Sequence, residues 1–224
     1  MPPIDIELEK LKIKLTEMWD LVGLQLQTGY EAMVAADPEL AGEIKKLGKK
    51  VNHYDLKIDR MCENFFALFT PVAVDLRTVL AILKINANLE RIGDTAEGIA
   101  FFLKKQDGPL DPALLEKTQA IFMYEEALKM FNDCQRAFAD NDTALARELI
   151  RRDKVLNRIF RKSDNIVLSF LEDAPEKTKQ GFILLSIIRK LERVGDQVSN
   201  ISEEIIFYRE AKVLKHKGKK KEKE

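Results

Sequence analysis

The sequence predicts an all-α protein built as two tandem antiparallel three-helix bundles, with six long helices in all. Three observations carry this. First, Leu89-Glu90-Arg91-Ile92-Gly93-Asp94 returns as Leu191-Glu192-Arg193-Val194-Gly195-Asp196, displaced by 102 residues in a chain of 224. Second, the apolar positions around the two copies repeat at the same displacement. Ile82, Ile85, Leu89, Ile92, Ala96, Ile99 and Leu103 answer to Leu184, Ile187, Leu191, Val194, Val198, Ile201 and Ile205. Steps of three and four are the seam of a helix lying lengthwise on other helices. Third, helix-breaking and helix-capping residues cut the chain at five places, which makes six segments of about 30 residues, roughly 45 Å each as helix.

The first segment, 5–36, carries Leu8, Leu11, Leu15, Met18, Val22, Leu26 and Met33 at helical spacing. It ends at Asp37-Pro38, where aspartate caps the next helix and proline takes a first-turn position whose N–H is unpaired anyway. The same punctuation at Thr70-Pro71 and Asp111-Pro112, the turn Asp140-Asn141-Asp142-Thr143, and Ala174-Pro175 bound the rest. The expected helices are 38–69, 71–106, 112–140, 143–172 and 175–212. Short connections make neighbouring helices antiparallel. The expected domains are therefore 1–108 and 109–212, joined through Gln106-Asp107-Gly108-Pro109, with a basic disordered tail at 213–224. That tail, dominated by lysine, is read as a solubilising end, with a weak contact to anionic membrane as the sharper alternative.

Composition narrows the functional classes. At 46% hydrophobic and 33% charged residues the chain reads as soluble and globular, and 37 basic residues against 37 acidic ones leave no net field for nucleic acid. Two cysteines make no disulfide framework, the first residues lack a signal-peptide pattern, and no apolar run approaches the roughly 18 residues of a spanning helix. The expected location is cytoplasmic, peripheral to a membrane at most. Catalytic signatures such as a Gly-rich phosphate loop or a nucleophile motif are absent from the sequence, so no enzyme activity is expected. Trp19 is read as core, and His53 as a surface or helix-end residue.

Glu90 and Asp94, like Glu192 and Asp196, stand four apart and therefore one above the other on a helical face. That face lies about 150° from the apolar stripe, at 100° per residue, hence on the outside of each bundle. The second helix of each half adds Asp55 with Asp59, and Asp153 with Asn157. Oxygen donors of this kind suit hard divalent or trivalent cations, and two facing pairs have room for more than one ion. A solvated surface, with Arg91 and Arg193 balancing the charge, is the alternative. Gly93 and Gly195 cost about 1 kcal/mol each against alanine in a helix interior; the same cost at both copies points to a close approach of backbone or ligand, or to packing that both halves share.

These residues resemble the PhoU family of phosphate-signalling regulators over almost the whole chain. The resemblance rests on Pro71-Val72-Ala73-Val74-Asp75-Leu76-Arg77 leading into the first motif, on the second motif with Asn200, and on Ile206-Phe207-Tyr208 running toward His216. It implies tandem three-helix bundles and metal ions, iron, zinc, manganese or magnesium, including multinuclear clusters. The ligands it implies are Asp55, Asp59, Glu90 and Asp94 in the first half, and Asp153, Glu192, Asp196 and Asn200 in the second. The chain departs from the pattern at Asn157, at Gly98 (the counterpart of Asn200), and at Thr95 and Gln197, where members often carry histidine. The implied role is negative regulation of the phosphate-starvation response by a homodimer that bridges the ATPase subunit of a phosphate ABC transporter and a sensor histidine kinase. A metal-binding helical adaptor of another phosphate carrier is the alternative. A carboxylate-bridged metalloenzyme is disfavoured because its Glu-x-x-His motifs are missing.

Overall fold

The computed structural model describes residues 3–214. The helices are α1 (Pro3–Ala35), α2 (Pro38–Leu68), α3 (Ala73–Leu103), α4 (Pro112–Thr118), α5 (Ala120–Ala139), α6 (Thr143–Asp173) and α7 (Thr178–Glu210), the last preceded by a 3-10 turn at Pro175–Lys177. Every apolar position assigned to the two repeated stripes is buried, as are the seven assigned to α1. Helices α1, α2 and α3 pack as one bundle, and α4–α5, α6 and α7 as the other.

The aspartates cap as their positions require. Asp37 Oδ1 accepts from Glu39 N at 2.8 Å, Asp111 Oδ1 from Ala113 N at 2.9 Å, and Asp142 Oδ1 from Ala144 N and Leu145 N, both at 2.9 Å. Several boundaries differ from expectation: α3 ends at Leu103 rather than 106, and the last helix becomes α only at Thr178, after a 3-10 turn. Helix α3 begins at Ala73 rather than Pro71, because Ala73 takes a left-handed φ of 41° after Pro71 and no side chain caps the start. The helix expected over 112–140 is broken at Gln119, with φ 57° and ψ 30°. Just before the break the buried Thr118 Oγ donates to the Leu114 and Leu115 carbonyls at 2.7 and 3.3 Å.

The two bundles do not keep separate cores; their buried side chains form one continuous cluster. They dock like to like. Helix α1 lies on α5, where fully buried Trp19 of α1 stacks on Phe138 (5.7 Å between centroids) and meets Phe131 (6.0 Å). Nearby, Tyr124 Oη donates to the Leu26 carbonyl at 3.0 Å. Helix α3 lies on α7, antiparallel, with Lys84 paired to Glu204 at 3.0 Å and Gly98 lying under the Lys190 side chain. This register sets Gly93 opposite Gly195 at the midpoint, so the repeated motifs face each other across an approximate two-fold axis. At the C-terminal end Leu214 packs against the core. His216 and the lysine-rich residues 215–224 lie outside the described residues, as does any contact they make.

Candidate functional site

In the first half, Asp55 and Asp59 rise from α2 beside Glu90 and Asp94 of α3. What joins them is Asn86, one turn before Glu90. Its Nδ2 donates to Asp55 Oδ1 at 2.7 Å, to Asp59 Oδ1 at 3.0 Å and to the Asp55 carbonyl at 3.1 Å. Burial and then the neighbouring Asp59 push the Asp55 carboxyl up, and the Asn86 hydrogen bond opposes this. Glu90 is pushed up by burial, then by Asp94 and Asp55. Glu97, one turn on, is raised by burial and by Asp94. Its carboxylate occupies the place a Cβ would take at Gly48, so that glycine is what lets α2 and α3 close over it.

In the second half the amide comes from the opposite helix of the pair. Asn157 of α6 donates from Nδ2 to Asp153 Oδ2 at 2.5 Å on its own helix, and the α7 position corresponding to Asn86 is the apolar Ile188. Asp153 Oδ1 is buried with no hydrogen-bond partner among the described residues. Burial first, then Asp196 and Glu192, raise the Asp153 carboxyl to about 6. Glu192 is raised by burial and Asp196, and Asp196 by burial. Asn200 lies one turn past Asp196 on α7, half-buried.

Both motif glycines serve helix packing. A Cβ at Gly93 would meet Gln25 Oε1 at 3.0 Å and Val51 Cγ1 at 3.2 Å, and one at Gly195 would meet Asp153 Oδ1 and Leu156 Cδ1, both at 2.6 Å. At Gly195 the packing and the acid site are one feature, since the missing Cβ leaves the space that the Asp153 carboxylate fills. Gly98, where the second half has Asn200, gives its space to Lys190 of α7.

The donor chemistry of these eight positions, carboxylate and amide oxygens, suits a hard cation. Their arrangement is two stacked sets and not a closed cage: among the described residues no three His, Cys, Asp or Glu side chains form a ready-made ion site. Asp94 and Asp196 are exposed on the outside of their own bundles, yet both line one groove where those outer faces meet between α3 and α7. Sequence reasoning missed Asn86. The signal was present as Asn86, Glu90 and Asp94 at successive turns of one face.

Fold and site together define a class: a duplicated helical scaffold with clustered carboxylates on adjoining helices. Comparison with known proteins places it within that class. The PhoU domain matches at residues 15–102 and 121–205, and the chain belongs to the PhoU family, a family of regulatory accessory proteins and not of enzymes. It is similar to a phosphate-specific transport system accessory protein PhoU homolog of Aquifex aeolicus, 31% identical over 94% of this chain and 94% of that one. Among solved structures it resembles PhoU from Pseudomonas aeruginosa, with TM-score 0.87 and 27% identity over 93% of this chain and 99% of that one. It also resembles the phosphate transport system regulatory protein PhoU from Streptococcus pneumoniae, with TM-score 0.84 and 25% identity over 94% and 99%. No helix among the described residues is long and apolar enough to cross a membrane.

Proposed function

We propose that this chain is a cytoplasmic regulator of phosphate-specific transport that represses the phosphate-starvation response, acting as a homodimer between the ATPase subunit of a phosphate ABC transporter and a sensor histidine kinase. The observation that supports it is a match to phosphate transport accessory proteins along nearly the full length of both chains, over a fold that superposes on solved members. Deleting the cell's own copy is expected to derepress phosphate-starvation genes in phosphate-rich medium; unchanged reporter expression in that strain would count against the role. Co-purification from cells grown in high and low phosphate separates the kinase and the ATPase as partners from another phosphate carrier.

The acid clusters are proposed to take up hard cations, iron, zinc, manganese or magnesium. Asp55, Asp59, Glu90 and Asp94 serve the first half, and Asp153, Glu192, Asp196 and Asn200 the second. Four carboxylates draw such ions more strongly than three and an amide. Asp94→Ala is therefore expected to lower bound metal and metal-dependent thermal stabilisation more than Asp196→Ala. Metal stoichiometry and melting temperature after chelation and reloading measure both, and equal losses would refute the asymmetry.

A further inference from the structure

In the groove between α3 and α7 both copies of the repeated motif present charged side chains to a common space. It has a volume of about 500 Å³. Arg91 and Thr95 line it from α3, and their counterparts Arg193 and Gln197 from α7. Asp94 and Asp196 line it as a second matched pair. Lys190 alone breaks the symmetry, because the corresponding α3 position is Asn88. Three cations thus face two carboxylates.

Those cations feel the acids around them, Asp94 acting on Lys190, without pairing to them directly. Among the described residues, none of Arg91, Arg193 and Lys190 closes an ion pair within 4.0 Å. Each arginine offsets part of the charge of the glutamate beside it through space, Arg91 that of Glu90 and Arg193 that of Glu192, without closing a contact pair. Thr95 is already committed: its Oγ donates to the Arg91 carbonyl at 2.7 Å.

The register makes convergence feasible. Arg193 faces Thr95, one turn from Arg91, so the two arginines are offset by about 6 Å along the helices at a rise of 1.5 Å per residue. Packed helices lie roughly 8–10 Å apart, and extended arginine side chains from both sides reach one ligand across such a gap. The guanidinium fork matches the oxygens of a phosphate group in bidentate fashion, and a lysine adds a point charge.

We infer that the α3/α7 groove binds a phosphate-type oxyanion on the axis relating the two halves, held by Arg91 and Arg193, with the Lys190 ammonium, seated against Gly98, adding positive charge at one end of the groove. The oxyanion is inorganic phosphate or the phosphate group of a larger ligand. The groove exceeds the size of a single phosphate, which leaves room for the rest of such a ligand. Asp94 and Asp196 oppose the anion, since their charges lie on the same walls. The site does not depend on the proposal of bound metal, and its test separates the two.

The full-length protein is titrated calorimetrically at pH 8 and low ionic strength, with chelator present, using inorganic phosphate, pyrophosphate and ATP as probes. One saturable site per chain is expected for at least one probe. Tighter binding of pyrophosphate or ATP than of phosphate assigns the site to a larger ligand, and equal or weaker binding assigns it to free phosphate. Arg91→Gln or Arg193→Gln is expected to weaken binding at least tenfold and the double variant to abolish it, with unchanged thermal melting as the check on folding. Asp94→Asn and Asp196→Asn are expected to tighten binding several-fold. A metal-bridged anion would instead be lost in the aspartate variants and in chelator. Absence of saturable binding for all three probes, binding indifferent to the double arginine variant, or weakening by Asp→Asn overturns the inference.

Discussion

Asp153→Asn tests the electrostatics of the second acid cluster without disturbing its shape. The Asp153 carboxyl is held at about 6 against an ordinary 3.8, by burial and by Asp196 and Glu192. At 1.36 kcal/mol per pH unit that difference is about 3 kcal/mol. The side chain keeps some contact with solvent, so screening reduces the figure, by roughly half, to about 1.5 kcal/mol. The sign follows from linkage. Above pH 6 the folded chain holds an ionised carboxylate that the unfolded chain ionises more easily, so the full cost is present there. The cost shrinks as pH falls through 6 and is gone below 3.8, where both states are protonated. Asparagine keeps an acceptor for Asn157 and removes the charge. In chelator at pH 8 the variant is expected to melt about 3–6 °C above the parent, given 2–4 °C per kcal/mol for a chain of this size. That advantage should fall steadily as pH drops from 6 toward 4. Differential scanning calorimetry across this range measures it. A variant that melts lower at pH 8, or whose advantage is independent of pH, would refute the reasoning.

The other predictions concern groups that set the same architecture. Gly195→Ala is expected to cost about 1 kcal/mol net, because a Cβ at 2.6 Å from Asp153 and Leu156 forces both to move and overpacking of 1–3 kcal/mol exceeds the gain of about 1 kcal/mol in helix propensity. Gly93→Ala, with contacts at 3.0 and 3.2 Å, should stay within about 0.5 kcal/mol of the parent; urea midpoints followed by Trp19 emission rank the two. Asn86→Leu removes the donor shared by Asp55 and Asp59, and a loss of about 2 kcal/mol is expected at pH 8. Its loss should shrink as pH falls, because burial and Asp59 hold the Asp55 carboxyl above its ordinary range and protonation removes the charge that needs the donor; urea melts at descending pH follow it.

Much of this was legible because helical periodicity and caps are local. Leu89 and Leu191 are buried for the reason their spacing gives, and Asp111 and Asp142 cap where they stand before a helix. Gln119 was not legible, since glutamine rarely takes a left-handed φ and nothing in the sequence around it marks a break. The stacked acids could be read from their four-residue spacing, but the crossing of Asn86 to α2 could not. Nor could the docking of α3 on α7: periodicity tells which face of a helix is apolar and says nothing of which helix will cover the other one.

That docking also has a cost in time during synthesis. Helix α3 is complete at Leu103, but α7, which covers it, ends at Glu210. At about 5–20 residues per second, the first bundle leaves the ribosome roughly 5–20 s before its partner helix exists. During that wait the uncovered flank of α3 is presented to every other nascent chain in the cell. It carries Lys84, Arg91 and Asp94, which stay hydrated while it stands alone and keep a half-made chain from sticking to its neighbours.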